Sequence, residues 1–149
     1  MSPSDYSDDQ ASELVMYCCD SRFGGPIERF VQDGLGIERC ARLVVPGGPV
    51  ALAGAAPPYY EEDDGAAAQF FFLIDALKLK RVHLIQHDRC AFYIQELGVK
   101  ESDLRDTQIA DLGRITARIA NARPHLDIRN WVAEVRGDSV AFLEQPVER

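Results

Sequence analysis

The sequence predicts an α/β fold in which a mainly parallel β-sheet is flanked by helices. Three short apolar segments, Glu13 to Cys18, Cys40 to Val45 and Arg81 to His87, have the length and composition of buried strands. Stretches with helical spacing of apolar residues separate them, and connections of this length place successive strands parallel to one another. The carboxyl ends of the strands are therefore expected to meet at one edge of the sheet, where ligands bind in such folds.

The helices are predicted from apolar spacing together with start and stop signals. After the first strand, Pro26 is expected in the first turn of a helix that ends near Gly34. Two further helices are predicted over Ala66 to Leu79 and Ser102 to Ala122. The apolar positions of the last helix, which are expected to form one stripe that packs on the sheet, are Ile109, Leu112, Ile115 and Ile119.

The two ends of the chain have different characters. Residues 1–12 are polar and acidic and contain no large aliphatic side chain, which predicts a flexible acidic tail. Near the other end, Leu126 to Val135 and Ser139 to Glu144 flank Arg136-Gly137-Asp138, a pattern typical of a closing strand pair. Residues 13–149 are therefore expected to form a single α/β domain.

The charge balance excludes several classes of partner. The sequence has 149 residues, with 16 Lys and Arg against 24 Asp and Glu, so its formal net charge is -8. A surface of this sign repels phosphate backbones and anionic lipid heads, so neither nucleic acid nor membrane is expected as a partner. No apolar run approaches the roughly 20 residues of a membrane-spanning helix, and the acidic start of the chain is unlike a signal peptide. We therefore expect a cytoplasmic protein.

The chain contains four cysteines, Cys18, Cys19, Cys40 and Cys90. In a reducing compartment they remain thiols, which act as buried filler, as nucleophiles or as metal ligands. Cys19 and Cys40 lie at strand ends with no partner evident in the sequence, and we expect both to be small buried hydrophobic residues.

The other two cysteines share the predicted edge with a histidine. His87 and Cys90 are three residues apart where the third strand turns into a helix, and Cys18 closes the first strand. Two thiolates and one imidazole suit zinc, which prefers tetrahedral coordination, and three protein ligands leave the fourth position open, as in catalytic sites. The alternative is a coincidental grouping of buried thiols at a strand end.

Two motifs give this grouping a specific meaning. Cys18 to Arg22 reads CCDSR and matches the Cys-x-Asp-Ser-Arg signature of the β-class carbonic anhydrases, and His87 with Cys90 matches their His-x-x-Cys motif. Each motif lies on the predicted element where the family has it, and the resemblance extends over about residues 13 to 144. The chain therefore resembles this family, which implies the β-carbonic anhydrase fold.

The resemblance implies a role for each motif residue. Cys18, His87 and Cys90 would bind zinc, and Asp20 and Arg22 would form a catalytic pair beside the open position. Zinc lowers the pKa of the water it binds from 15.7 towards about 7, which supplies hydroxide for the reversible hydration of carbon dioxide to bicarbonate; two thiolates, which neutralise the charge of the ion, are expected to acidify the water less than three imidazoles would. Asp20 would orient the water while Arg22 holds it ionised; alternatively, Asp20 would itself become the fourth ligand and block the water. The family also implies a homodimer.

The sequence departs from the family pattern at three places. Gln86 precedes the histidine and Ala91 follows the second motif cysteine, where the family usually has glycine, and the turn after the second strand reads Pro46-Gly47-Gly48 instead of Arg-Asn-Ala-Gly. These departures bear on catalytic turnover more than on zinc binding. They leave open a zinc-binding domain without catalysis, and family offshoots suggest hydrolysis of carbonyl sulfide or carbon disulfide as a further alternative.

Overall fold

A computed structural model describes residues 6–53 and 64–147 and contains a five-stranded sheet. The strands are β1 (Glu13–Cys18), β2 (Ala41–Val45), β3 (Arg81–His87), β4 (Asp127–Arg136) and β5 (Ser139–Gln145). Their order across the sheet is β2-β1-β3-β4-β5; the first four are parallel and β5 is antiparallel to β4. The predicted fold class, a mainly parallel sheet flanked by helices, is confirmed.

Helices cover both faces of this sheet. Side chains alternate between the two faces along a strand, so Val15 packs with Ile27 on one face, while Met16 packs with Phe70 and Leu112 on the other. The helices are α1 (Ser21–Arg29) on the first face and α2 (Asp64–Ala76) and α3 (Leu104–Ala122) on the second. Shorter turns of 3₁₀ or π-helix occupy Phe30–Gly34, Gly48–Leu52, Phe92–Glu96 and Glu101–Asp103.

The start of α1 differs from the expectation that Pro26 would lie in its first turn. The helix begins at Ser21, directly after the strand, because the Asp20 side chain caps it by accepting a hydrogen bond from the Arg22 backbone N–H at 3.0 Å. Pro26 therefore lies inside the helix. The early start places the Asp-Ser-Arg motif at the first turn of a helix, at the edge of the sheet.

The inner face of α3 also differs in part from the predicted stripe. Leu112, Ile115 and Ile119 are buried as expected, but Ile109 is 39% exposed. Gln108 takes its place on the buried face, because its side-chain amide donates a hydrogen bond to the His87 carbonyl oxygen at 2.8 Å. A polar side chain can lie on the inner face when a backbone group pairs with its donor.

The end of the chain follows the prediction. β4 and β5 form a hairpin whose turn contains Gly137 at φ 59°, a conformation that favours glycine. Of the predicted acidic tail, residues 6–12 contain no helix or strand, and residues 1–5 lie outside the described part. No helix in the described ranges combines the length and hydropathy that a membrane span requires.

A buried histidine lies in the middle of the sheet, away from the motifs. His83 is 3% exposed, and its Nδ1 accepts a hydrogen bond from Trp131 Nε1 at 3.2 Å, so the proton of the neutral ring is on Nε2. Glu13 Oε1 lies 3.7 Å from that Nε2 and also accepts from Arg81 at 2.9 Å. Burial lowers the pKa of His83, an effect that Glu13 opposes in part.

We expect folding stability to fall as the pH drops through the ordinary histidine range. Because the pKa of His83 is lower in the folded than in the unfolded protein, the unfolded protein binds more protons below the unfolded pKa of 6.5. Protonation of Nδ1 also breaks the bond to Trp131, the only tryptophan of the chain, whose fluorescence reports the change. Urea unfolding at several pH values measures the slope. An unchanged slope in His83→Gln would contradict the prediction.

Candidate metal centre

The carboxyl ends of β1 and β3 bring three side chains of the motifs together. Cys18 is the last residue of β1, His87 is the last residue of β3, and Cys90 follows after a two-residue turn. All three are buried, and their ligand atoms lie within 4.8 Å of one another. In the part of the chain that the structure describes, this is the one group of such side chains able to hold a metal ion.

The imidazole of His87 has the form that a metal ligand requires. Its Nδ1 lies 2.6 Å from the Asp88 carbonyl oxygen, a contact that requires a proton on Nδ1 and leaves the lone pair on Nε2. That Nε2 is buried and has no hydrogen-bond partner among the described residues. A buried polar atom is normally paired. An unpaired nitrogen lone pair close to two thiols fits zinc, whose usual ligands are these groups.

The two thiols differ in how readily they ionise. A hydrogen bond from the Cys18 thiol, together with the backbone N–H groups of Phe92 and Tyr93, lowers the pKa of Cys90 to about 7. Donating that bond, together with burial, raises the pKa of Cys18 to about 12. Cys18 Sγ in turn accepts a bond from the Gly47 backbone N–H at 3.3 Å. These N–H groups stabilise thiolate, the form in which cysteine binds metal.

Asp20 and Arg22 form an ion pair beside this cluster. Arg22 Nη2 lies 2.6 Å from Asp20 Oδ2 and Nε lies 3.1 Å from Oδ1, a two-point contact that lowers the pKa of Asp20 to about 2. The same Nη2 donates at 3.0 Å to the carbonyl oxygen of Arg89, which lies between His87 and Cys90 in the chain. Asp20 is thus bound to the arginine and is not among the clustered ligand atoms.

The glycine turn after β2 lets the backbone pass close to Cys18. Gly48 has a φ of 55°, and a Cβ built on it would lie 2.7 Å from the Cys18 backbone nitrogen. That distance is too short for any side chain, and the obstacle is backbone that cannot rotate away. The turn therefore supports Cys18 by close packing.

Gly48→Ala is expected to destabilise the protein. The left-handed backbone costs an alanine about 1–2 kcal/mol, and the clash with β1 adds about 1–3 kcal/mol. Gly36→Ala is the matched control, because Gly36 has a φ of 68° but open space around its Cα. Urea unfolding measures both variants. Equal losses of unfolding free energy would show that the contact with Cys18 contributes nothing.

The predictions for the remaining motif neighbours have mixed outcomes. Cys19 is exposed, so the expectation that it is buried filler is wrong: it lies one residue beyond the strand, and its neighbour Cys18 takes the inward direction. Cys40 is partly buried. Gln86 is 1% exposed and donates to the Tyr93 hydroxyl at 3.0 Å, whereas Ala91 is exposed.

Several residues around the cluster were not predicted from the sequence. The Phe23 ring lies 4.2 Å from the His87 ring, centroid to centroid. On α3, Arg105 donates to the Asp88 carboxylate and Asp111 accepts from the Tyr93 hydroxyl. The available signal was the three-residue spacing of polar side chains in α3, at Arg105 and Asp111 with Gln108 between them.

Comparisons with known proteins show which solved structures share this fold. The sequence matches no protein-family model and no curated protein sequence. Among solved structures, β-carbonic anhydrase isoform I of Trichomonas vaginalis has a TM-score of 0.57 and 12% identity, over 96% of this chain and 89% of that one. A carbonic anhydrase from Glaciozyma antarctica has a TM-score of 0.56 and 12% identity, over 94% and 86%.

A third similar structure comes from Sordaria macrospora, in a study of two tetrameric β-carbonic anhydrases. Its TM-score is 0.50, with 14% identity over 91% of this chain and 81% of that one. At such low identities the matches show similarity of fold. The three matches agree with the resemblance of the two sequence motifs to those of the β-carbonic anhydrases. The chain therefore has the fold of the β-carbonic anhydrases.

Proposed function

We propose that this protein binds one zinc ion through Cys18, His87 and Cys90 and catalyses the reversible hydration of carbon dioxide to bicarbonate. The observation that carries the proposal is that Cys18, His87 and Cys90 are buried with their ligand atoms within 4.8 Å of one another, while the His87 Nε2 has no hydrogen-bond partner among the described residues. Zinc bound there would activate water for attack at neutral pH. With three protein ligands the fourth position stays available to that water.

The neighbouring residues have separate tasks in this proposal. Asp20 accepts a hydrogen bond from the attacking water and directs its lone pair toward carbon dioxide. Arg22 keeps Asp20 ionised and keeps its carboxylate away from the metal through the contact at 2.6 Å. An apolar cluster that includes Val50, Leu97 and both cysteines adjoins the centre, and it suits a small uncharged substrate.

Stopped-flow hydration tests the proposal. Purified protein loaded with zinc under reducing conditions is mixed with dissolved carbon dioxide at about pH 7 to 9, the range in which zinc-activated water is available. We expect hydration well above the buffer rate, and loss of that rate after chelation. Bound zinc without hydration would favour the second candidate, a zinc-binding domain without catalysis. The observation in its favour is Gln86, which fills buried volume next to His87 where the family usually has glycine.

The same preparation tests hydrolysis of other small linear molecules. Carbonyl sulfide and carbon disulfide resemble carbon dioxide in shape, and the same activated water would attack them. Hydrogen sulfide release from either compound, with no hydration of carbon dioxide, would change the substrate in the proposal while keeping the zinc site.

We also propose that the chain forms a homodimer through α2. Phe72 on this helix is 66% exposed, and tetrameric proteins are found among the similar structures. Sedimentation at micromolar concentration is expected to show a dimer that Phe72→Ser weakens. A monomer in the wild type would refute the proposal.

A further inference from the structure

Helix α3 has a polar stripe on the side that faces the metal-ligand segment, residues 86–93. Arg105, Gln108 and Asp111 are spaced three apart and lie on one side of the helix, and the last two are fully buried. Burying such groups costs free energy unless each is hydrogen-bonded. Each of the three bonds to the ligand segment.

Arg105 fixes the residue that follows the histidine ligand. Its Nη2 lies 2.7 Å from Asp88 Oδ1, and its Nη1 lies 3.0 Å from Glu134 Oε2 on β4. The second carboxylate oxygen of Asp88 accepts from the Val135 backbone N–H at 2.8 Å. The Asp88 side chain is thus held from two sides. Its carbonyl oxygen is the group that contacts His87 Nδ1, so holding Asp88 also fixes the direction of the imidazole.

Gln108 fixes the peptide on the other side of the same residue. Its amide Nε2 donates to the His87 carbonyl oxygen at 2.8 Å. The backbone that carries the histidine ligand is therefore bound to α3 at His87 as well as at Asp88. Rotation of the imidazole out of the cluster would break its Nδ1 contact with the Asp88 carbonyl oxygen.

Asp111 acts on the other ligand of the motif. Its Oδ2 accepts from the Tyr93 hydroxyl at 2.7 Å, and the same hydroxyl accepts from Gln86 Nε2 at 3.0 Å. Tyr93 is fully buried, and its backbone N–H is one of the two that donate to the Cys90 sulfur. Anchoring the tyrosine ring at its far end therefore holds the turn whose N–H groups point at Cys90.

We propose that Arg105, Gln108 and Asp111 are positioning residues that hold His87 and Cys90 in the arrangement needed to bind metal. The inference deepens the proposed zinc site and rests on it. Residues that hydrogen-bond to metal-binding side chains orient them, and loss of such a residue typically lowers metal affinity about 10–100-fold. In this chain Gln86, which departs from the family pattern, belongs to the same network through Tyr93.

Zinc affinity of variant proteins tests this inference. Tyr93→Phe removes the hydroxyl between Asp111 and Gln86 while keeping the ring, and Arg105→Gln removes the charged contact with Asp88. Thr116→Val is the matched control, because it deletes a buried hydroxyl of the same helix that bonds Asn130 of β4 at 2.8 Å. Zinc dissociation constants come from competition with a coloured chelator, and absorption spectra of cobalt-loaded protein report the ligand geometry.

We expect Tyr93→Phe and Arg105→Gln each to raise the zinc dissociation constant about 10–100-fold and to alter the cobalt spectrum. Thr116→Val should leave the zinc dissociation constant and the cobalt spectrum unchanged, even if it lowers the unfolding free energy as much as the other two variants do. If Tyr93→Phe and Arg105→Gln have the same zinc affinity and cobalt spectrum as Thr116→Val, the inference is overturned. The proposed zinc site is not affected by that result. A wild type that binds no zinc would overturn the proposed function and this inference together. If Tyr93→Phe does not fold, Arg105→Gln at the partly exposed end of the stripe decides the outcome.

Discussion

Cys90→Ser is expected to abolish tight zinc binding and any activity that depends on it. If the roughly 10–16 kcal/mol of a structural zinc site is divided among four ligands, losing one thiolate costs about 3 kcal/mol or more. A loss of that size lowers the affinity at least about 100-fold. The serine hydroxyl cannot replace the thiolate, because it does not ionise near neutral pH. Metal content after dialysis at a fixed free zinc concentration measures the effect.

Cys40→Ser is the matched control for this change. Cys40 is also a free thiol, but it lies just before β2, at the opposite end of the sheet from the cluster. The Cys40→Ser protein should keep its zinc. A chelator should lower the melting temperature of the wild type and of Cys40→Ser, since a ligand bound to the folded state stabilises it, and should leave Cys90→Ser unchanged. Equal zinc content in the two serine variants would refute the assignment of Cys90 as a ligand.

Asp20→Asn is expected to lower the hydration rate about 10²–10⁴-fold while leaving zinc content and folding nearly unchanged. The range is that typical of losing a positioned side chain that accepts a hydrogen bond from the reacting water. Asparagine caps a helix as well as aspartate does, so α1 should still begin at Ser21. What is lost is the negative charge that directs the attacking water and pairs with Arg22. Stopped-flow rates at matched zinc loading measure the change.

An equivalent ion pair elsewhere on the surface provides the control. Asp75 binds Arg123 through two contacts of 2.7 Å, the same two-point geometry, on helix α2. Asp75→Asn removes a carboxylate of the same kind and should leave the hydration rate at the wild-type value. Should Asp20→Asn also retain the full rate, the catalytic task proposed for Asp20 would have to be withdrawn.

The strands could be predicted closely because each of them is a short apolar segment with clear ends. The predicted segment Arg81 to His87 matches β3 residue for residue, and β1 has its predicted bounds. Buried parallel strands are apolar on both faces, so their composition alone distinguishes them from the polar loops on either side. The topology then places Cys18 and His87 at one edge.

The start of α1 and the inner face of α3 were predicted less well, for different reasons. Pro26 is a common signal for a first turn, but a capping side chain at Asp20 had already started the helix. Ile109 fits an apolar stripe by spacing, yet Gln108 occupies the buried position. Helical periodicity does not predict a buried polar residue, because the partner on another element that bonds to it is not known from the sequence.

The sequence by itself determined the fold class, the strand ends and the motif residues, because these depend on local composition and on short spacings along the chain. Only the tertiary structure decided that His87 Nε2 has no hydrogen-bond partner among the described residues, that Asp20 is bound to Arg22, and that Gln108 of α3 bonds the His87 carbonyl oxygen. These features join residues far apart in sequence, such as Tyr93 and Asp111. Hydrogen bonds depend on distances of a few tenths of an ångström, which packing sets and which no pattern along the chain records.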